Sequence, residues 1–298
     1  MKNKISILLL AALMGPCALW GAEPAVTGQP VKKNSVGTED FTIISLELGS
    51  YNKEHRWEDK VPGIAEMVKV EAPAVVGFQS ASTAKVEDLD MVLDGYDSFG
   101  DATDDGETKG RINAIYWRKD CLKLVKSGTF WLGESPDMPG SIFDGASQAC
   151  TATWGIFTIK SSGRKFFFLH TSLDVNSEKV RPLQAKLILS KMAEYAPGLP
   201  CIVAGDYRSF QAGLFGKDMN NPCVVMVQSM IDARRLALSG DEGKTVNHFG
   251  AKGGNVKDFV FYTDNLECLV YDILTNEYAG IKYLAIHNPI KCILRFRK

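Results

Sequence analysis

The stretch Pro200-Cys201-Ile202-Val203-Ala204-Gly205-Asp206-Tyr207-Arg208 passes from an unbroken apolar run into a carboxylate and, two residues later, a guanidinium. A short apolar run bounded by glycine reads as a strand buried on both faces. If the extended backbone continues past it, Asp206 and Arg208 project to the same side. Working outward, further short apolar runs of this kind occur at Phe41 to Leu46, Ala74 to Phe78, Asn113 to Arg118, Thr153 to Ile159, Lys165 to His170, Asp258 to Tyr262 and Lys291 to Phe296. These read as strands. Two stretches carry helical spacing, Pro62 to Val70 with proline in its first turn and Glu178 to Tyr195. No repeat and no break in composition divides them, so one mixed α/β domain over residues 40–298 is expected, large for one domain but within the range of two-sheet folds.

The 298 residues carry 34 Lys+Arg against 35 Asp+Glu, which gives no strong nucleic-acid signal, because a sequence-blind binder displaces counterions with a basic excess. The apolar fraction of 45% excludes a disordered chain. The one long apolar run, Ile5 to Leu13, follows Lys2 and Lys4 and gives way to small residues around Gly21 and Ala22. It reads as a signal peptide over residues 1–22, which implies an exported protein, periplasmic or secreted, with no membrane span once the signal is removed. Residues 23–39, rich in Pro, Gly, Lys and Thr, read as a flexible lead-in. Export permits disulfides among Cys121, Cys150, Cys201, Cys223, Cys268 and Cys292, yet several lie in strand-like runs where a small buried thiol is the simpler reading, and no CxxC pair suggests zinc.

Several segments occur in a telling order: Ile43 to Leu48, Val75-Val76-Gly77-Phe78-Gln79-Ser80, Gly128 to Leu132, Leu169-His170-Thr171-Ser172-Leu173-Asp174, Ala204 to Arg208, Lys257 to Phe261, and Ala285-Ile286-His287-Asn288-Pro289-Ile290. Together they resemble the endonuclease/exonuclease/phosphatase superfamily over nearly the whole chain after the lead-in. The resemblance implies a four-layer α/β/β/α sandwich, two mixed β-sheets packed face to face with helices outside, and a site where strand ends converge. It also implies phosphoester hydrolysis with a divalent metal, usually Mg²⁺, held by hard oxygens beside an oriented His.

Position by position the family pattern is broken. Its first-strand Asn is Glu47, the metal-binding Glu after Gln79 is Ser80, the His of its Thr-His-Leu-Asp stretch is Ser172, the Asn of its Gly-Asp-x-Asn stretch is Arg208 and its terminal Asp is Ile286. Cys150 replaces an Arg, and Arg111 stands where many bacterial members carry Glu. Kept are Gln79, Asp174, Asp206, Asp258 and His287. With Ile286 in place of the terminal Asp, His287 is expected to lack its orienting partner. Losing a general base or its partner costs about 10² to 10⁴ in rate, and losing the metal's charge several kcal/mol more.

The retained positions Asp174, Asp206, Asp258 and His287 are thus the catalytic candidates, in a cleft lined by Glu47, Gln79, Ser80, Arg111, His170, Ser172 and Arg208. Arg208 is expected to fill the cation's place, paired with Asp206, Asp258 or Glu47, since three carboxylates without a metal repel one another and guanidinium presents a fork suited to them. No cofactor is then needed, and the protein reads as a pseudoenzyme that binds a phosphate-bearing molecule or a protein. The competing reading is an active phosphoesterase in which Glu47, Asp206 and Asp258 hold Mg²⁺ or Mn²⁺ and His170 or His287 moves protons. Otherwise His170, like the loop residue His248, reads as a partly exposed imidazole satisfied by a hydroxyl. Ser80 and Ser172 lie in no nucleophile elbow. The glycine cluster Gly250 to Gly254 lacks the strand-loop-helix setting of a dinucleotide loop.

Overall fold

A computed structural model of the chain describes residues 40–49, 51–210 and 218–298. The expected signal peptide (residues 1–22) and lead-in (residues 23–39) lie outside the described residues. In chain order the elements are β1 (Phe41–Glu47), α1 (Val61–Glu71), β2 (Val75–Ala81), α2 (Thr83–Val92), β3 (Tyr96–Phe99), β4 (Ile112–Arg118), β5 (Leu122–Trp131), β6 (Thr151–Ile159), β7 (Lys165–Ser172) and α3 (Arg181–Tyr195). They continue with β8 (Cys201–Asp206), α4 (Pro222–Met226), β9 (Ile231–Asp232), α5 (Ala233–Leu236), β10 (Ser239–Gly240), β11 (Asp258–Tyr262), β12 (Leu266–Ile273) and β13 (Ile290–Phe296).

Two mixed sheets result. One has the order β10-β12-β13-β1-β2-β4-β3 and the other β5-β6-β7-β8-β11-β9. The pairs β1/β2 and β7/β8 are parallel, while β1/β13, β2/β4 and β8/β11 are antiparallel. Alternation along the central strands sorts side chains into three apolar layers. Phe41, Ile43 and Val75 of the first sheet meet Phe166, Phe168 and Ile202 of the second between the sheets. Ile44, Val76 and Phe78 on the outer face of the first sheet meet Ile64 and Met67 of α1 and Leu89 of α2. Phe167, Leu169 and Val203 on the outer face of the second meet Ala185, Ile188 and Met192 of α3. Strands buried on both faces explain the unbroken apolar runs, and each fully buried aliphatic or aromatic side chain contributes about 1.5 to 3 kcal/mol. The four-layer sandwich is therefore the observed architecture.

The differences from the sequence reading have physical causes. Helix α3 begins at Arg181 rather than Glu178, because Pro182 is tolerated only in a first turn. Helix α2 buries only Leu89 and so carries almost no apolar periodicity. Strands β5 and β12 each contain a register shift, at Leu124/Lys126 and Cys268/Val270, which breaks the two-residue pattern that marks a strand in a sequence. The six cysteines are unpaired, all buried except the half-buried Cys121. No helix of the described residues is long and apolar enough to cross a membrane.

Candidate active site

The alternation that builds the layer between the sheets also delivers its polar end. Phe41, Ile43, Ser45 and Glu47 share one face of β1, Ile202, Ala204 and Asp206 share one face of β8, and Val260 leads back to Asp258 on β11. Asp258 lies directly opposite Asp206 in the β8/β11 ladder. The carboxylates thus sit where the core between the sheets runs out, and Glu47, Asp206 and Asp258 are all buried.

Arg208 closes this end. Its backbone N–H donates to Asp206 Oδ1 at 2.8 Å, its Nε lies 2.7 Å from Asp206 Oδ2, and its Nη2 lies 3.4 Å from Glu47 Oε1. It adopts a left-handed backbone conformation (φ 51°), uncommon for a residue with a side chain. Its carbonyl accepts from Arg181 Nη1 at 2.8 Å and Lys257 Nζ at 3.4 Å, which fixes the turn. The three carboxylates are therefore faced by a guanidinium rather than by an open pocket. Burial, then the neighbouring Asp258 carboxylate, raises Asp206 to about 6 against the lowering pull of Arg208 and His287.

His287 has an orienting partner, contrary to the reading from Ile286. Its Nδ1 lies 3.0 Å from Asp258 Oδ1 and 2.8 Å from Oδ2. The partner comes from β11, a different segment, which adjacency in sequence hides. Burial alone lowers a His, but the Asp258 carboxylate and its hydrogen bond, backed by Asp206 and Glu47, raise His287 to about 9. Ile286 contributes its carbonyl instead, accepting from the N–H groups of Asn247 and His248.

The other candidates scatter. His170 is fully buried between the sheets rather than partly exposed: its Nε2 is 3.2 Å from Ser45 Oγ, and a Cβ at Gly77 would fall 2.2 Å from its ring. Burial drives it down to about 3, so it is neutral and closed off from solvent. Gln79 donates to Ser45 Oγ at 2.8 Å and belongs to the same internal chain of contacts. Asp174 organises a turn, accepting from Ser147, Gln148, Asn176 and Ser177, and does not reach Arg208. Ser80, in a left-handed conformation (φ 57°), Ser172 and the exposed Arg111 line a crevice of about 10 Å³ with Cys150, space for about one water. Glu47 lies against this crevice: a Cβ at Gly49 would sit 2.3 Å from Glu47 Oε1 and 3.1 Å from Ser80 Cβ.

Arg181 went unnoticed in the sequence. Nine-tenths buried, it donates to the carbonyls of Asp174, Val175 and Arg208 and ties the two loops that bear Asp174 and Arg208 together. A cation in the first turn of a helix opposes the helix dipole, and that anomaly is the signal that marks it. Lys85, in the first turn of α2, is the same kind of case: its Nζ donates to the Leu48 carbonyl and stands 4.4 Å from the Tyr51 ring centroid.

A two-sheet sandwich that gathers Asp206 and an Asp258–His287 pair at one end of its strands is a phosphoesterase fold. No family sequence model matches the chain. A protein of Bacteroides vulgatus from the endonuclease/exonuclease/phosphatase family superposes with a TM-score of 0.80 at 25% identity, over 87% of this chain and 99% of that one. A mannosyl-6-phosphatase of Bacteroides thetaiotaomicron gives 0.78 at 27% identity, over 86% of this chain and 100% of that one. An uncharacterized protein of Acanthamoeba polyphaga mimivirus is 22% identical over 254 residues, 79% of this chain and 92% of that protein. The chain thus shares the fold of endonuclease/exonuclease/phosphatase family proteins.

Proposed function

We propose that this is an exported superfamily member in which Arg208 has taken the place of the divalent cation, leaving phosphoester hydrolysis lost or strongly impaired and the cleft kept for a phosphate-bearing molecule or a protein. The observation that carries the reading is the guanidinium spanning Asp206 and Glu47 at 2.7 and 3.4 Å. Among the described residues, Asp206, Asp258 and His287 bring candidate ligand atoms within 4.8 Å of one another. They do not suit a metal as they stand. His287, raised to about 9, carries a proton at neutral pH that a metal would have to displace, and Arg208 already neutralises the carboxylate a cation would use. Glu47, Asp206 and Asp258 balanced by Arg208 and His287 also leave little uncompensated charge to attract a divalent ion.

The proton-handling half of the site survives while the cation half is replaced, a pattern that suits ligand retention better than turnover. The partly exposed Arg208 supplies donors for an anion. A second reading, a rebuilt metal site for Mg²⁺ or Mn²⁺, draws on one specific observation: Glu47 Oε2 is buried without a hydrogen-bond partner, as an oxygen awaiting a cation would be. It requires Arg208 to swing out. Metal titration by calorimetry together with hydrolysis of bis-p-nitrophenyl phosphate separates the two: no binding and no turnover supports the first reading, and Asp206-dependent turnover supports the second.

A further inference from the structure

The glycine cluster at 250–254, which fits no nucleotide loop, has a place in the fold. It forms one wall of a second hollow, of about 350 Å³, behind the strap that carries His287; Lys244, Asn247, Gly250, Lys282, Tyr283 and Asn288 are among its lining residues. That volume falls in the range of small-molecule sites. The hollow is preformed at a cost: His248, Phe249 and Gly250 are three successive left-handed residues (φ 50°, 53° and 90°), and the two with side chains each cost about 1 to 2 kcal/mol. Asn247 holds them. Its amide donates to the Ala285 carbonyl at 3.1 Å and to Asn288 Oδ1 at 2.7 Å, and its Oδ1 accepts from the Phe249 N–H at 2.7 Å. Gly250 lies so close to Tyr283 that a Cβ there would come within 2.7 Å of the ring.

The chemistry of the walls is specific. Lys244 and Lys282 outnumber the single carboxylate, Asp241. Gly253 and Gly254 are left-handed (φ 108° and 91°), and a Cβ at Gly253 would meet nothing closer than 4.0 Å. Gly253 thus leaves this part of the wall open. The half-buried Tyr283 adds an amphipathic ring, and Lys282 Nζ lies 5.8 Å from its centroid. An anion on a small polar ring is what these groups match together.

We propose that this hollow is a binding site for an anionic monosaccharide, a sugar phosphate or sugar acid, distinct from the Arg208 cleft. The proposal is independent of whether the cleft hydrolyses anything. A ligand there bears on the strap through Asn288 and through Val246, which bridges to His287.

The test is calorimetry on the full chain after the lead-in, with glucose 6-phosphate, glucuronate and neutral glucose as probes at millimolar concentrations. Saturable binding of an anionic probe, weaker or absent for glucose, is expected, and the tighter of the two anions fixes the charged group. Binding at this site should fall at least roughly tenfold in Lys244→Ala/Lys282→Ala, which alters two exposed side chains, and persist in Lys123→Ala, an exposed lysine on β5 outside both sites. No saturable binding of either anion overturns the proposal. So does binding that survives the double lysine change.

Discussion

Arg208→Ala removes the cation from a group of buried carboxylates, and the structure sets the size of the effect. Glu47 and Asp206 side chains are 2% and 0% exposed and Arg208 22%. Removing one member of a buried ion pair costs about 3 to 5 kcal/mol, because the charge left behind has neither water nor partner. Against an ordinary stability of about 5 to 15 kcal/mol, this is a folded but visibly weakened protein. The pH dependence adds a signature. Asp206 is already raised to about 6 with Arg208 beside it; without the guanidinium, which lowers it, it rises further. The variant therefore binds a proton on folding over a wider range than the wild type and recovers stability relative to it as pH falls. Urea unfolding at pH 8 should show the full deficit, and at pH 5 the deficit should shrink by about 1 to 3 kcal/mol. Equal midpoints for variant and wild type at pH 8, or a deficit unchanged at pH 5, would refute the assignment of Arg208 as the site's internal cation.

Further consequences can be measured in the same way. In Gly77→Ala the new methyl group overlaps the His170 ring at 2.2 Å, so a loss of about 2 to 4 kcal/mol and a lower melting temperature are expected; an unchanged melt would mean the ring is free to move. His170 is held near 3 by burial against 6.5 in the unfolded chain, so the stability it confers is full above pH 6.5 and declines as pH falls toward 3. His170→Phe should flatten that acid limb by at most about 1.4 kcal/mol per pH unit, read from denaturant midpoints between pH 4 and 7. Arg181→Met strands three carbonyls in the loops of Asp174 and Arg208, and about 2 to 4 kcal/mol should be lost in urea unfolding, with lysine restoring only part.

How far the sequence could be read follows from the kind of signal each element carried. Strands buried on both faces, such as Cys201–Asp206, announce themselves by continuous apolar runs, and with them came the positions of Glu47, Asp206 and Asp258 at their ends. Bulged strands and the weakly amphipathic α2 carry no such period and were found only in three dimensions. In the site, reading by adjacency succeeded for Asp206 and Arg208, two residues apart in one turn. It failed for His287, because its partner Asp258 lies 29 positions away and is brought in by the sheet. His170 misled for a related reason. Alternation gives the face of β7 that it occupies, shared with Ser172, but not the point along the strand where the space between the sheets closes. Arg181 acts through backbone carbonyls, and its one mark in the sequence is a cation in the first turn of a helix.

The most direct test of the central claim is calorimetric titration of Mg²⁺ and Mn²⁺ into the wild-type protein and into Arg208→Asn, run beside hydrolysis of bis-p-nitrophenyl phosphate. If Arg208 stands in for the cation, the wild type shows neither binding nor turnover, and Arg208→Asn, with its carboxylates released, gains measurable metal binding. Millimolar or tighter metal binding by the wild type, with turnover that Asp206→Ala abolishes, would contradict the account and make the protein a working phosphoesterase.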